Sequence, residues 1–258
     1  MIGSKNTRTT TMTTSGRRTS TLERPVLMRL AAVEYDRCAA LLGQLRPTDW
    51  GRPTECPEWD VRDLVSHMLG MAEMAASIPV AVRQMRSAKQ RGGVFVDALT
   101  AVQVDERRAL SGPDMARRFG IVAPRAARAR RRTPGLVRRL ALPEPQDAGA
   151  GPETWSMGYL LDTILTRDPW MHRVDLARAV GVDMVLTADH DGVLVADVVT
   201  EWAARHGQPC ELELGGPAGG QWSFGDGGPV LAWDAVEFCR AVSGRAATDG
   251  LFHTHVPF

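Results

Sequence analysis

The sequence predicts an α+β protein, in which an N-terminal four-helix bundle precedes a smaller C-terminal α+β domain. Three observations lead to this fold class. Apolar residues recur at helical spacing over four long stretches between Pro25 and Gly181. Beyond Gly181 the helical stretches are shorter, and two strand candidates are joined by a glycine-rich turn. The chain of 258 residues is also long enough for two modest domains.

Composition and charge exclude several classes of protein. Hydrophobic residues make up 44% of the chain and charged residues 24%, which is ordinary for a globular protein and excludes collagen-like or fully disordered chains. No stretch approaches the roughly 18 consecutive apolar residues that a membrane span needs, and no apolar signal core follows the N-terminus. The formal net charge of +1 gives the molecule no overall field suited to nucleic acid. We therefore expect a soluble, cytoplasmic protein with no membrane partner, and the overall charge does not favour a nucleic-acid partner.

The first predicted helix follows a polar tail. Residues 1–24 are rich in Thr, Ser, Lys and Arg and show no apolar periodicity, so they cannot bury enough surface to offset the entropy of ordering. We expect this tail to be disordered. From Pro25 onward, leucines between Leu27 and Leu45 recur at helical spacing and stop before Pro47, which predicts the first helix.

The next two predicted helical regions continue the bundle. The second helix begins near Glu58 to Asp60, whose negative charges suit the positive end of a helix dipole, and its apolar face continues toward Val82. The third region covers about 94–131. Helix breaks are possible in it at 112–113 and at Pro124.

A long connection at 134–152 leads to the fourth predicted helix, which runs from about 154 to 180. Gly181 follows it, and glycine is common just past a helix end. Pro169 lies inside this stretch and should bend the helix or mark a restart.

Shorter elements follow the fourth helix. A helical stretch at about 187–206 precedes two strand candidates, Glu211–Leu214 and Gln221–Phe224, and a last helix is predicted at about 232–243. We place a domain boundary near 182–187. The predicted regions are a disordered tail at 1–24, a metal-binding four-helix bundle at 25–182 and a small α+β domain at 187–258.

An arginine-rich segment lies at 117–139, where nine arginines occur without an acidic residue. The simplest interpretation is a solvated helix face and loop. The alternative is a site for an anion or for an acidic partner.

Two residues of the fourth helix have the spacing of metal ligands. Asp168 and His172 are four positions apart, so their side chains project from one face about one turn apart. Zinc usually takes three protein ligands in a catalytic site, and a third ligand must come from elsewhere. His67 on the second helix, near the apolar face, is the natural candidate. From spacing alone, an ion pair between Asp168 and His172 remains the alternative.

Two sequence motifs resemble those of a known family, the mycothiol-dependent maleylpyruvate isomerase family within the DinB-like metal-binding superfamily. The N-terminal motif consists of Trp50, Pro53, Thr54, Cys56, Trp59, Val61, Arg62, Asp63, Leu64, His67 and Gly70. The second motif consists of Arg167, Asp168, His172, Val174, Asp175 and Leu176.

The resemblance implies a ligand set and a domain plan. His67 and His172 correspond to the family's histidine ligands, and Asp168 corresponds to its carboxylate ligand, which is commonly glutamate. Aspartate is one methylene shorter, which is a departure from the family pattern. The bundle is then DinB-like. The end of the chain resembles the family's small, sterol-carrier-like C-terminal domain at Trp222, Glu237, Gly244 and Arg245.

The implied function is thiol chemistry at a metal. The expected cofactor is a divalent metal, with Zn²⁺ as the first candidate. A metal with an open coordination position binds a thiol as its thiolate. The resemblance implies mycothiol, the low-molecular-weight thiol of actinobacteria, as cosubstrate. We expect an enzyme that adds this thiolate to an electrophilic small molecule, as an S-transferase or as a cis–trans isomerase. Arg245 is the candidate catalytic residue, because guanidinium can hold a substrate carboxylate in a bidentate manner. The alternative for Arg245 is a helix-terminal arginine that caps carbonyl groups.

Two other functions stay open. The first is a non-catalytic, metal-containing protein that binds a small molecule in its C-terminal domain. The second is a regulator whose arginine-rich segment contacts an acidic partner or nucleic acid. The sequence is compatible with a monomer or a homodimer.

Overall fold

The computed structural model describes residues 17–147 and 151–258. The fold is α+β and mostly helical, which confirms the predicted fold class. The helices are α1 Arg24–Leu42, α2 Val61–Ala76, α3 Ile78–Arg91, α4 Phe95–Asp105, α5 Gly112–Arg132, α6 Gly135–Arg138, α7 Met157–Tyr159, α8 Leu165–Val180, α9 Val193–His206 and α10 Ala235–Val242. The strands are β1 Gln146–Asp147, β2 Pro152–Glu153, β3 Cys210–Gly215, β4 Gly220–Phe224 and β5 Val230–Asp234.

Four long helices, α1, α2, α5 and α8, pack around the core of the bundle. Their apolar stripes meet there, and helices of this kind gain most of their stability from such packing. Fully buried members of this core include Leu64, Leu69, Phe119 and Leu176. Helices α3 and α4 pack against each other and against α2 on the outside of the bundle.

The boundaries of the second and third helical regions differ from the predicted ones. The stretch toward Val82 is two helices, because Ser77 is extended (φ −149°) and ends α2 before α3 begins. The third region is also two helices, α4 and α5. Ser111 starts α5 by accepting a hydrogen bond from the backbone N–H of Asp114. Pro124 does not end α5.

Pro169 lies inside α8, and a side chain from α5 compensates for its missing N–H. A residue at position 169 would normally donate to the carbonyl of Leu165, four residues earlier. Nη1 of Arg130 donates to that carbonyl instead, at 2.8 Å. Arg130 is therefore a buried structural member of the arginine-rich segment. Gly181 ends α8 in the left-handed conformation (φ 70°), as its position in the sequence indicated.

The C-terminal part contains a three-stranded sheet with the order β4-β3-β5. Strand β3 pairs with β4 in antiparallel fashion and with β5 in parallel fashion. Strand β5 was not predicted, and the last helix begins at Ala235 rather than near 232 because β5 occupies those residues. Asp234 ends the strand and caps α10 by accepting from the N–H groups of Val236 and Glu237.

A second core connects the sheet and helices α9 and α10 to the bundle. Its members from α1 and α8, Leu30, Trp170 and Val174, pack with Trp202 of α9 and Phe238 of α10. The predicted boundary near 182–187 lies in the loop after α8. The division of the chain into two domains stays a prediction.

The predicted tail lies partly outside the described residues, which begin at Arg17. Within 17–23, the N–H of Arg18 donates to the carbonyl of Thr154 at 2.9 Å, and its guanidinium pairs with Glu153. Leu22 packs on the second core. This short part of the predicted tail therefore lies against the fold. None of the described helices combines the length and the apolar composition that crossing a bilayer requires.

Candidate metal centre

The structure brings His67, Asp168 and His172 together between α2 and α8. Oδ1 of Asp168 lies 3.2 Å from Nε2 of His172 and 3.7 Å from Nε2 of His67. The two imidazole rings are 5.2 Å apart between centroids and nearly perpendicular. Both histidines are buried, whereas Asp168 is partly exposed, with 21% of its side chain accessible. The cluster is therefore open to solvent through the carboxylate.

The Nδ1 atom of each histidine, which faces away from Asp168, is within hydrogen-bond distance of another side chain. Nδ1 of His67 lies 2.8 Å from Oε1 of Gln103. Nδ1 of His172 lies 3.0 Å from Oδ2 of Asp175. Because both partners accept hydrogen bonds, Nδ1 carries the hydrogen on each neutral ring, and both Nε2 atoms keep their lone pairs.

Asp175 also connects His172 to Arg245. Nε and Nη2 of Arg245 donate to the two carboxylate oxygens of Asp175, each at 2.9 Å. The thiol of Cys56 lies 3.4 Å from Oδ2 of Asp175. A carboxylate behind a histidine is a common arrangement at metal sites, since it fixes the ring and makes it more basic.

The electrostatics of the cluster favour a positive charge between the three side chains. Burial raises the pKa of Asp168, but the imidazoles of His172 and His67 outweigh it and hold this pKa well below its usual range. Burial lowers the pKa of His172, but the carboxylates of Asp168 and Asp175 outweigh it and raise the pKa well above its usual value. Burial likewise raises the pKa of Asp175, and the partners His172 and Arg245 bring it down to about 2.

The donor set fits a divalent metal. The ligand atoms of His67, Asp168 and His172 all lie within 4.8 Å of one another. Two imidazole nitrogens and one carboxylate are a ligand set that zinc accepts in catalytic sites. The predicted ligands are thus close enough to share one ion, and the Nδ1 atoms of the two histidines already have hydrogen-bond partners.

Two other clusters of potential ligands occur among the described residues, and neither fits a metal as well. In one, Glu34, His190 and Asp191 are fully buried, but Arg173 pairs with both carboxylates. A guanidinium already supplies the positive charge there. The other consists of Cys56, His172 and Asp175, and its carboxylate is engaged by Arg245.

Arg245 follows α10, and Gly244 before it adopts a positive φ of 83°. Its guanidinium caps no carbonyl group among its hydrogen bonds to described residues, so the alternative predicted for it is not observed. It approaches the cluster through Asp175, and 17% of its side chain is exposed. Asp175 pairs with neither Arg167 nor Arg173, which bind other buried carboxylates.

Gln103 is the site residue that the sequence did not indicate. It is fully buried on α4 and contacts His67 from a different helix. The available signal was weak, because a single glutamine between Val102 and Val104 also suits an exposed helix position.

A family model described as the mycothiol maleylpyruvate isomerase N-terminal domain matches residues 31–177. The chain belongs to the mycothiol maleylpyruvate isomerase family. The matched residues contain all three candidate ligands, His67, Asp168 and His172, and also Gln103 and Asp175. Membership confirms the resemblance that the two motifs indicated, and it points to an enzyme of the isomerase-like, mycothiol-dependent kind.

The chain is also similar to two curated proteins and to two solved structures. Uncharacterized proteins from two strains of Mycobacterium tuberculosis are 26% identical over 231 residues, which cover 84% of this chain and 84% of each relative. Crystal structures of the mycothiol-dependent maleylpyruvate isomerase and of a histidine-to-alanine mutant of it are 16% identical, with TM-scores of 0.54 and 0.56. They cover 87% of this chain and 90% of their own chains, and they show that the fold is shared.

Proposed function

We propose that this member of the family is a metal-dependent enzyme that adds the thiolate of mycothiol to an electrophilic small molecule. The reaction is either a cis–trans isomerisation of the maleylpyruvate type or an S-transfer. The observation that carries this proposal is the cluster of His67, Asp168 and His172, in which the Nδ1 atom of each histidine contacts another side chain and both Nε2 atoms face the carboxylate of Asp168.

His67, Asp168 and His172 would hold the ion, and Gln103 and Asp175 keep the two histidines in place. Zn²⁺ or a similar divalent ion bound there would supply Lewis acidity and would keep a thiol as its thiolate at neutral pH. Asp168 remains ionised, because the neighbouring imidazoles lower its pKa. Gln103 and Asp175 keep the hydrogen of each ring on Nδ1. These contacts hold the ligand side chains in place before an ion binds, and a bound ion would displace the proton that the raised pKa of His172 favours.

The proposed chemistry needs only the thiol and an activated double bond. The thiolate forms a C–S bond to one carbon of the double bond. The π electrons of that bond move to the other carbon, which becomes a carbanion stabilised by the neighbouring carbonyl group. Rotation about the resulting single bond, followed by loss of the thiolate, gives the trans isomer. In an S-transfer, the carbanion takes up a proton instead, and the conjugate is released.

We propose that Arg245 binds a carboxylate of the substrate. A guanidinium has five N–H donors, and Arg245 uses Nε and Nη2 for Asp175 and directs Nη1 toward Ser243. Donors therefore remain for a second carboxylate at its exposed edge. A charge-assisted pair of this kind orients an acidic electrophile beside the thiolate.

The test is the metal content of the purified protein by elemental mass spectrometry, combined with titration of mycothiol. We expect about one equivalent of zinc or a similar metal in the wild type. Both the metal and the thiol binding should be lost in His67→Ala and His172→Ala. His253→Ala is the control, because His253 is exposed and lies outside the cluster. A protein that binds no stoichiometric metal after reconstitution would contradict the proposal.

One observation favours the alternative of a non-catalytic binding protein. An open surface depression of about 450 Å³ lies beside helix α9 and strand β4, and none of the three candidate ligands lines it. Its volume is sufficient for a small molecule. Its lining residues include Leu22, Val193, Ala196, Asp197, Thr200 and Trp222. Stoichiometric metal without any thiol binding would support this alternative.

A further inference from the structure

A glutamine amide lies between the proposed metal centre and helix α3. Gln103 is fully buried on α4, and its Oε1 lies 2.8 Å from Nδ1 of His67. Its Nε2 lies 3.0 Å from Oε1 of Gln84 on α3, which is also fully buried. A buried polar group without a partner is destabilising, and these contacts satisfy both ends of the Gln103 amide.

The direction of these hydrogen bonds follows from groups that only accept. Nε2 of Gln84 lies 3.5 Å from the backbone carbonyl oxygen of Gly70, which cannot donate. Gln84 therefore turns its nitrogen toward Gly70 and its oxygen toward Gln103. The sulfur of Met71, also an acceptor, lies 3.1 Å from Nε2 of Gln103. Both constraints turn Oε1 of Gln103 toward His67.

An acceptor beside Nδ1 decides the tautomer of His67. Since Oε1 of Gln103 cannot donate, Nδ1 carries the ring hydrogen and Nε2 keeps its lone pair. The competing tautomer would donate from Nε2 to Asp168. That distance is 3.7 Å, which is longer than a hydrogen bond. The hydrogen-bonded chain from Gly70 through Gln84 and Gln103 thus favours one tautomer.

Gly70 makes room for this arrangement. It lies three residues after His67 on α2, where residues three apart share a face. A Cβ atom added at position 70 would lie 2.6 Å from Cγ of Gln103. A side chain there would therefore push the amide away from the imidazole.

We propose that Gln103 is a positioning residue, which holds His67 in the Nδ1–H tautomer and so presents its Nε2 lone pair to a metal ion. Gln84 fixes the orientation of the Gln103 amide. This inference rests on the proposed function only in taking Nε2 as a metal ligand, because the tautomer itself is a property of the metal-free protein.

The experiment compares Gln103→Met, which removes the acceptor beside His67, with Gln103→Glu, which keeps that acceptor and loses only the N–H donor toward Gln84. Gln90→Met is the matched control, since Gln90 is exposed on α3. The tautomer of His67 is measured in the metal-free proteins by ¹⁵N NMR of the imidazole, at an alkaline pH at which the spectrum of the ring no longer changes. Zinc affinity is measured by competition with a chelating dye, and circular dichroism checks that each variant is folded.

We expect the Nδ1–H tautomer in the wild type, in Gln103→Glu and in the control. Gln103→Met should lose this preference and bind zinc about 10- to 100-fold more weakly, as changes behind a metal ligand commonly do. Gln103→Glu should stay within about threefold of the wild type.

Two results would overturn the inference. One is an Nε2–H tautomer of His67 in the wild type. The other is a folded Gln103→Met protein in which both the tautomer and the zinc affinity are unchanged. A wild type that binds no zinc, but in which Gln103→Met still alters the tautomer, would contradict the proposed function and support the role of Gln103.

Discussion

Oδ2 of Asp175 lies 3.0 Å from Nδ1 of His172, one turn earlier on α8. The same carboxylate accepts two hydrogen bonds from Arg245, which is 70 residues away along the chain. The candidate metal centre and the candidate substrate-binding residue therefore share one buried anion. A change at Asp175 should affect both, whereas a change at Arg245 should mainly affect the substrate.

Asp175→Asn should weaken zinc binding by about 10- to 100-fold, because a neutral amide no longer stabilises positive charge on the His172 ring. The measurement is zinc affinity by chelator competition. Asp249→Asn makes the same chemical change at an exposed aspartate and should leave the affinity unchanged. An affinity of Asp175→Asn within twofold of the wild type would show that Asp175 does not support the ligand.

Arg245→Ala should keep about one equivalent of zinc and lose turnover of a carboxylate-bearing electrophile. A hydrogen bond to a charged group contributes about 1.5–3 kcal/mol, so kcat/KM should fall roughly 10- to 150-fold. An electrophile without a carboxylate serves as the control and should react at the wild-type rate. Full turnover of the acidic substrate by Arg245→Ala would exclude the proposed role.

Asp168→Glu should retain zinc, whereas Asp168→Asn should lose most of it. Oδ1 of Asp168 lies close to Nε2 of both His67 and His172, so the shorter aspartate reaches the cluster without an additional methylene. The loss in Asp168→Asn follows from the missing negative charge. Elemental analysis of the three proteins after dialysis against zinc decides the point. Equal zinc in Asp168→Asn and in the wild type would mean that this carboxylate is not a ligand.

The sequence predicted those features that depend on local spacing. Apolar periodicity placed the bundle helices, and the spacing of Asp168 and His172 put both side chains on one face of α8. The choice of His67 as third ligand gained its force from the resemblance to the family. The geometry of the structure agrees with this choice, because the three ligand atoms lie together.

The features that the sequence did not predict depend on contacts between distant segments. Gln103 reaches His67 only because α4 packs against α2. Strand β5 is only five residues long and is defined by its parallel pairing with β3. Arg130 compensates for Pro169 from another helix, through the carbonyl of Leu165. No local pattern encodes such pairings, so they become visible only in the folded chain.

A buried ion network between α1 and α8 predicts how stability depends on pH. Glu34 is fully buried, pairs with Arg173 at 2.6 and 3.0 Å, and lies 2.8 Å from Nε2 of His190. Burial raises the pKa of Glu34, but the hydrogen bond from His190 and the charge of Arg173 outweigh it, so this pKa is lowered in the folded protein. Its contribution to stability is therefore present above the pKa of the unfolded chain, about 4.3. The contribution is lost as the pH falls through the lower, folded pKa.

Glu34→Gln should reduce the free energy of unfolding at neutral pH by about 3 kcal/mol, because Arg173 and His190 lose a buried anionic partner. It should also flatten the fall in stability below about pH 4.3. Urea unfolding followed by tryptophan fluorescence at neutral and at acidic pH measures both effects. Glu211→Gln on β3 is the control, since Glu211 is exposed and should change neither quantity by more than about 0.5 kcal/mol. If Glu34→Gln and the wild type lost stability in parallel on acidification, then folding would not lower the pKa of Glu34, and its pairing with Arg173 would not contribute to the stability of the bundle.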